Sequence, residues 1–385
     1  MLEKALTGDR KYWGWVVGLM AVMAAGAFCY LRQLDYGLGI TGLSRDVTWG
    51  FYIAQFTFLV GVAASAVMVV LPYYLHDFKV FGKITILGEY LAVSAVCMCL
   101  MFIIVDLGQP GRAINMIRYP SPRSILFWDM VVLNGYLVIN VVIARFSLRA
   151  ERSGQPPPRW IKPVILLSIP WAVSIHTVTA FIYSGLAARP FWMTAILAPR
   201  FLASAFSSGP ALLILLCLAL RRFTRFDAGR EAVQKLALIA TYAVLLNIFF
   251  VLMEIFTAFY SAIPEHMEHF QYLYWGLDGH TGLRSWMWAS AILVLSAATI
   301  LVIPRLRGNT TMLTIACVAV VISIWIEKGL GMVVTGFVPS PLGTVTSYVP
   351  SLPEILITLG IYGFGALLIT AFYKITLSLR GQLKT

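Results

Sequence analysis

Charged side chains are what this 385-residue chain has least of. Only 12% of its residues are Asp, Glu, Lys or Arg, whereas 59% are hydrophobic. A soluble globular chain is typically about 25% charged and about 45–50% apolar. A chain with so little charge cannot cover a water-facing surface with polar groups, so we predict an integral membrane protein in contact with the lipid bilayer.

Acidic residues are scarcer than basic ones, 17 against 29, which gives a net charge of +12. The basic residues are spaced between apolar runs and do not gather on one stripe, so we expect no nucleic-acid partner. Such spacing is typical of the positive-inside bias of membrane proteins.

Metal-ligating side chains are also scarce, with five histidines and five cysteines and no C-x-x-C motif. All the cysteines lie inside apolar runs, which favours small buried residues over iron–sulfur ligands. A bis-histidine haem needs two histidines on facing helices at similar depth. Only His176 falls within a predicted span, and His76 falls at a predicted helix end. We therefore expect no haem, no iron–sulfur cluster and no metal site in this chain.

Long apolar runs are abundant, and about 20 residues are enough to cross a bilayer core. Ten segments reach that length, and the first follows a polar N-terminus and is too long for a signal peptide. The predicted spans are 13–34, 49–75, 84–105, 125–148, 163–186, 200–220, 235–262, 285–303, 311–333 and 353–376.

The distribution of basic residues predicts the orientation. With the N-terminus inside, most Lys and Arg residues fall in inside loops, above all 145–162 and 221–235. We therefore predict a cytoplasmic-membrane protein with both termini on the cytoplasmic side.

Ionisable groups within the spans require an explanation, because each costs about 2.5–3.5 kcal/mol at a helix centre. Under the predicted topology most of them lie toward the outer face, and Glu89 alone lies near the inner side. Such a cluster suits a lipophilic molecule that exchanges protons, such as a quinone. The alternative is that these groups pair with one another to hold helices together. The candidates are Gln55, Glu89, Asp106, Asp129, His176, Glu254, Glu327, Lys328 and Glu354, the last expected only as a first-turn acid.

Several short motifs, in order along about 50–365, resemble those of the polysulfide-reductase membrane-subunit (NrfD-like) family. The stretch 174–209 is most similar to the membrane subunit of a dissimilatory-sulfite-reductase-linked complex. The motifs are VDLGQPGR at 105–112, SP at 121–122, WD at 128–129, SIHT at 174–177, PFW at 190–192, PRFL at 199–202, SG at 208–209, MEIF at 253–256, AFYS at 258–261 and WIEK at 325–328.

This resemblance implies an all-α membrane fold in which residues 1–385 form one domain. Helices two to five (49–186) would form one four-helix bundle, and helices six to nine (200–333) a second, flanked by helices one and ten. It also implies a menaquinone-binding subunit that exchanges electrons with an extracytoplasmic ferredoxin-like iron–sulfur subunit. A multihaem cytochrome c and a haem b membrane subunit would complete the complex, which would be linked to sulfite metabolism.

The resemblance places the quinone in the first bundle, near the outer face. His176, Asp106 and Asp129 would exchange protons with it, and Gln55, Gln109 and Arg112 would bind it; depth alone adds Tyr183. Glu89, Glu254 and Glu327 would be relay residues if protons cross the membrane. Related chains often carry an Asp six residues after the histidine, where this chain has Ile182.

Two other functions stay open. Pro170 and Pro210 interrupt two spans, as in some transporters, but the other spans are mostly uninterrupted, which leaves a transporter weakly supported. The chain could also be a passive membrane anchor for an iron–sulfur subunit.

Overall fold

A computed structural model describes residues 6–75, 78–155 and 157–382, and His76 lies outside them. Within that part of the chain, ten helices are long and apolar enough to cross a membrane, as predicted. They are α1 Arg10–Tyr36, α2 Phe51–Ala63 with its continuation Val67–Leu75, α3 Thr85–Asp106, α4 Ile125–Ser153, α5 Ile161–Ser184, α6 Leu197–Phe223, α7 Arg230–Tyr260, α8 Arg284–Val302, α9 Thr310–Ile324 with its continuation to Thr335, and α10 Leu352–Leu379.

Local signals determine where several helices begin and end. The Asp9 carboxylate accepts a hydrogen bond from the Tyr12 backbone N–H at the start of α1. The Asn309 side chain caps the start of α9 in the same way. Gly154 takes the left-handed conformation that ends α4. The capping groups lie close to the ends of the apolar runs. Each predicted span therefore begins and ends within a few residues of the observed helix.

The helices pack as two groups of four. In the first, α2, α3, α4 and α5 contact one another in sequence and α5 returns to α2; in the second, α6, α7, α8 and α9 do the same. The groups meet where α2 packs on α6 and α9. Helices α1 and α10 lie against each other, with Gly26 and Gly360 at close approach, and α10 packs on α3. The all-α ten-span prediction is confirmed.

Three local features were not predicted. Helix α2 passes through a 3-10 turn at Ala64–Ala66. Helix α9 contains a π-helical turn, Trp325–Gly331. The connection between α7 and α8 forms an eleven-residue helix, Pro264–Tyr274, named here the loop helix.

The membrane face that carries the loop helix is named here the loop-helix face. The α7–α8 and α9–α10 connections interlock on it. His269 of the loop helix bonds to the Val338 carbonyl after α9 (2.9 Å), and His280 bonds to Ser347 (2.8 Å). These contacts tie the ends of α7, α8, α9 and α10 into one layer above the buried polar groups.

Candidate functional site

The histidine that the sequence singled out lies at the centre of the first bundle. His176 projects from α5 and is completely buried. Neither ring nitrogen has a hydrogen-bond partner among the described residues. Since buried polar groups are ordinarily paired, an imidazole with two open nitrogens offers hydrogen-bonding positions to a ligand or a water molecule.

One face of α5 continues this polar site. Positions 176, 179 and 183 share a face at helical spacing. Thr179 donates to the Asp129 carboxylate of α4 (2.8 Å), and the Tyr183 hydroxyl bonds to Thr57 of α2 (2.5 Å). Both threonines are fully buried. These hydrogen bonds join α2, α4 and α5 around His176.

Aromatic rings close the site toward the loop-helix face. The Trp192 ring lies 5.0 Å from Tyr183, 5.9 Å from Trp49 and 5.1 Å from Phe337, measured between ring centroids. The Trp192 indole N–H donates to the Met332 carbonyl (2.9 Å). We name these four rings, Trp49, Tyr183, Trp192 and Phe337, the aromatic roof. It separates the buried polar groups from the loop layer.

A lysine from the second bundle reaches toward the first. Lys328, in the π-helical turn of α9, is buried at 3% exposure and places its ammonium 4.2 Å from the Phe201 ring centroid. It also donates to the Phe201 carbonyl (3.4 Å). Its Nζ lies 3.4 Å from the position that a Cβ on Gly61 of α2 would take. The boundary between the bundles therefore carries a buried lysine that reaches the first bundle.

Three charged groups of the second bundle form an ion triad. The Arg200 guanidinium of α6 bonds through one nitrogen to Glu254 of α7 and through another to Glu327 of α9. All three side chains are about nine-tenths buried. Helix α6 begins at Leu197, three residues before the predicted span 200–220, so Arg200 lies in its first turn and within the bundle.

Gln55 is held on a different side of α2. Its carbonyl oxygen accepts from the Trp325 indole (2.7 Å) and from the Tyr362 hydroxyl (2.8 Å), and its amide nitrogen has no partner among the described residues. Trp325 and Tyr362 also line an apolar cavity of about 320 Å³ between α2, α3, α6, α9 and α10. Gln55 therefore has a hydrogen-bond donor without a partner among the described residues, and its two aromatic partners line an apolar cavity.

Glu354 does more than start a helix. It completes a capping box with Ser351 at the start of α10. Its carboxylate also accepts from the Gly42 amide (2.6 Å) and the Tyr348 hydroxyl (2.7 Å). Glu354, which the sequence predicts only as a first-turn acid, thus also holds the loop after α1 in place through a hydrogen bond.

The other predicted residues lie apart from this cluster. Asp106 ends α3, and its Oδ1 has no partner among the described residues; Gln109 and Arg112 follow in an exposed turn. Glu89 is buried near the opposite end of α3, about 25 Å from Asp106 at 1.5 Å per residue. The structure thus brings His176, Asp129 and Tyr183 together and leaves Gln109, Arg112 and Glu89 outside.

No group of three or more potential metal ligands comes together among the described residues.

Sequence reasoning missed three contributors. Thr179 follows His176 by three residues and could have been found from that spacing. Arg200 could have been found because it lies at the start of a predicted span, 200–220, in a chain whose other spans carry the two unpaired acids Glu254 and Glu327. Trp192 belongs to the PFW motif at 190–192, but its part in the site could not be predicted, because it depends on a contact with the end of α9.

These features define a multi-pass helical membrane protein with two bundles, a buried open histidine in one and a buried ion triad in the other. The chain belongs to the family described as polysulphide reductase, NrfD, whose profile matches residues 39–372.

Its relatives are membrane components of redox complexes. A proposed membrane component of dimethyl sulfoxide reductase from Halobacterium salinarum is 26% identical over an alignment that covers 93% of this chain and 89% of the relative. The Hdr-like menaquinol oxidoreductase integral membrane subunit of Archaeoglobus fulgidus is 27% identical over 80% of this chain and 74% of its own. The menaquinone reductase integral membrane subunit of Nitratidesulfovibrio vulgaris is 21% identical over 94% and 91%.

Proposed function

We propose that this chain is the quinone-binding membrane subunit of a respiratory oxidoreductase complex, with the ring of menaquinone or menaquinol beside His176 in the first bundle. The observation that carries the proposal is the fully buried imidazole with two unpartnered nitrogens within a span. A quinone carbonyl needs a hydrogen-bond donor and a quinol hydroxyl needs an acceptor, and an imidazole supplies both. Two of the relatives are named for menaquinone or menaquinol.

The surrounding residues have distinct parts in this proposal. His176 exchanges a proton with a ring oxygen, and the Asp129 carboxylate, positioned by Thr179, is the second proton acceptor. Tyr183 and the aromatic roof exclude water from the ring. Gln55, with its free amide, and Asp106, Gln109 and Arg112 at the end of α3 bind the quinone or lead protons to the surface.

Electrons from a quinol must leave the chain for a partner. We infer that this partner is an extracytoplasmic ferredoxin-like iron–sulfur subunit on the loop-helix face, because the open histidine lies under that face. The sequence resemblance further supports a multihaem cytochrome c, a haem b membrane subunit and a link to sulfite metabolism. Glu89, near the opposite face, and Glu254 and Glu327 are proposed relay residues for protons that cross the membrane.

The test uses the purified complex with His176→Leu. We expect an assembled complex that has lost its bound quinone and oxidises a menaquinol analogue about 100-fold more slowly or worse, because one general acid–base group contributes at least that much. Phe181→Leu, on the lipid-exposed side of the same helix, is the matched control. Full quinol oxidation by His176→Leu would refute the site.

The same measurements separate the competing functions. A wild-type complex that carries no quinone and oxidises no quinol would indicate a passive anchor. Solute flux through proteoliposomes that contain this chain without a redox partner would indicate a transporter.

The orientation is tested separately. Ser153, the last residue of α4, and Thr281, in the loop layer, are both exposed, and each is replaced by cysteine in a separate variant. With both termini cytoplasmic, a membrane-impermeant maleimide added to intact cells labels position 281 and not position 153. The reverse pattern would place the proposed site at the cytoplasmic face.

A further inference from the structure

The second bundle is open to lipid on one side. Helix α7 packs far more extensively on α6 than on α8, which leaves a groove between α7 and α8. Its volume is about 270 Å³, slightly below the range of about 300–1,000 Å³ typical of small-molecule pockets. Leu252 and Leu295 on its walls are more than half exposed, so the groove opens sideways toward the acyl chains.

The floor of this groove is polar. Asn247, Ser290, Ser323 and Glu327 line it, and all four are at least nine-tenths buried. The serines satisfy each other across α8 and α9, at 3.0 Å between their hydroxyl oxygens. Asn247 Oδ1 and Glu327 Oε2 have no hydrogen-bond partner among the described residues. Two residues of the groove lining therefore each carry a buried acceptor without a partner, and an unpaired acceptor in apolar surroundings is costly.

The rim of the groove is aromatic. Phe259, Phe270, Tyr274, Trp275 and Trp288 line its end nearest the loop layer. The Trp288 indole is fixed by a hydrogen bond to the Tyr274 carbonyl (2.9 Å). Aromatic side chains favour edge-to-face or offset contact with another ring, so this end suits a flat ring.

Charge narrows the choice of occupant. The nearest guanidinium, Arg200, is engaged by two carboxylates, and the Lys328 ammonium lies over Phe201 on the other side of α9. The open Glu327 oxygen would repel the phosphate of an anionic lipid head. A neutral head that donates hydrogen bonds, joined to an apolar tail, matches both the floor and the walls.

We propose that the groove between α7 and α8 is a second quinol site, in which ring hydroxyls donate to Asn247 and Glu327 and the tail lies along Leu252 and Leu295 toward the lipid. This inference rests on the proposed function for the kind of ligand, but it concerns a different bundle and different residues. The site is proposed for binding, and no redox step is assigned to it.

The test counts quinone in the purified complex and locates it with an azido-menaquinone photoprobe. Ala291→Trp fills the groove without removing a charge, and Ile292→Trp, on the exposed neighbouring position outside the groove lining, is the matched control. We expect two quinones per complex in the wild type and in Ile292→Trp, and one in Ala291→Trp. The probe should label α7 and α8 peptides in the wild type and lose that label in Ala291→Trp.

Other outcomes distinguish the two proposals. If the wild type holds one quinone, which His176→Leu removes and Ala291→Trp does not, the groove is not a quinone site and the first-bundle proposal stands. If Ala291→Trp removes one quinone and His176→Leu removes none, the groove site stands and the first-bundle site fails. Loss of a bound phospholipid instead of quinone from Ala291→Trp would overturn the inference.

Asn247→Leu is a second variant that keeps the volume similar. It removes one open acceptor, so we expect weaker photolabelling of the groove, with the label in the first bundle unchanged. Equal labelling of the groove in Asn247→Leu and the wild type would show that a purely apolar contact holds the probe, against the proposed head-group recognition.

Discussion

The two bundles differ in how their buried ionisable side chains are paired. In the second, the Arg200 guanidinium neutralises charge on Glu254 and Glu327 across three helices. In the first, Asp129 is held by a neutral threonine, and His176 has no partner among the described residues. The difference shows that buried ionisable residues of one chain do not share one explanation. The ion triad joins three helices of the second bundle and leaves one oxygen of Glu327 without a partner among the described residues, whereas both nitrogens of His176 in the first bundle are without one.

The largest effect is expected from breaking the ion triad. Arg200→Met leaves two carboxylates facing each other in a buried site, and breaking a buried ion pair in this way typically costs about 3–5 kcal/mol. We expect little folded protein in membranes and a strongly lowered Tm of the detergent-purified complex. His176→Leu, which removes an unpaired group from the first bundle, should leave Tm almost unchanged.

A compensating variant sharpens this test. Arg200→Met combined with Glu254→Gln and Glu327→Gln removes the uncompensated charge, so it should regain much of the lost stability. An Arg200→Met protein with the Tm of the wild type would show that the triad does not stabilise the second bundle.

The aromatic roof of the first bundle is the next place to intervene. A Cβ on Gly336 would overlap the Trp192 indole, although the backbone there is ordinary right-handed helix. We expect Gly336→Ala to displace Trp192 and to cost about 1–3 kcal/mol, as overpacking typically does. Tryptophan fluorescence and thermal unfolding report this, and Gly282→Ala, where the added methyl meets open space, is the control.

The effect on the site distinguishes the two bundles. Gly336→Ala should admit water to the His176 site and reduce quinol affinity, while photolabelling of the groove between α7 and α8 stays unchanged. If Gly336→Ala reduced quinol affinity and groove photolabelling equally, the aromatic roof would support the whole loop layer and not the first bundle alone.

The loop layer over the second bundle depends on an uncharged histidine. Burial lowers the pKa of His269 to about 4, although its hydrogen bond to Val338 opposes that shift and Arg189 and His266 favour it. Folding therefore favours the neutral form. This contribution is complete above the unfolded pKa of about 6.5 and is lost as the pH falls toward 4. At pH 5 the loss is about 2 kcal/mol.

The measurement is thermal unfolding of the complex between pH 7.5 and 5, with hydrogen exchange of the loop helix. His269→Asn keeps a donor for the Val338 carbonyl but does not titrate, so its stability should fall less with acidification than that of the wild type. Identical pH profiles of the two proteins would contradict the role given to His269.

Much of the fold could be predicted from the sequence, because the length of an apolar run and the cost of burying a charged side chain are local properties. Ten apolar runs gave ten helices, and the cost of a buried charge drew attention to His176, Asp129, Glu254 and Glu327. Partners were not predictable, because they depend on helix rotation. A small rotation of α6 decides whether Arg200 faces water or two carboxylates. Gln55 and Thr57 are two residues apart, yet they face α10 and α5 respectively.

The smallest effect is expected from one hydroxyl in the first bundle. Thr179→Val removes the donor to Asp129 while it preserves side-chain shape, and a lost hydrogen bond of this kind typically costs about 1 kcal/mol. Thr177→Val is the matched control, because Thr177 is only half-buried and donates to the Val173 carbonyl of its own helix. We expect a difference in Tm of a few degrees between the two variants, measured on the purified complex.

The kinetics of the same pair decide whether Asp129 belongs to the ligand site or only to the packing of α4 on α5. If Thr179 positions Asp129 for a proton, Thr179→Val should lower kcat for quinol oxidation and shift its pH profile, whereas Thr177→Val should change neither. If Thr179→Val lowers Tm alone, Asp129 serves the first bundle as Glu254 serves the second. The contrast between the bundles would then rest on His176 by itself.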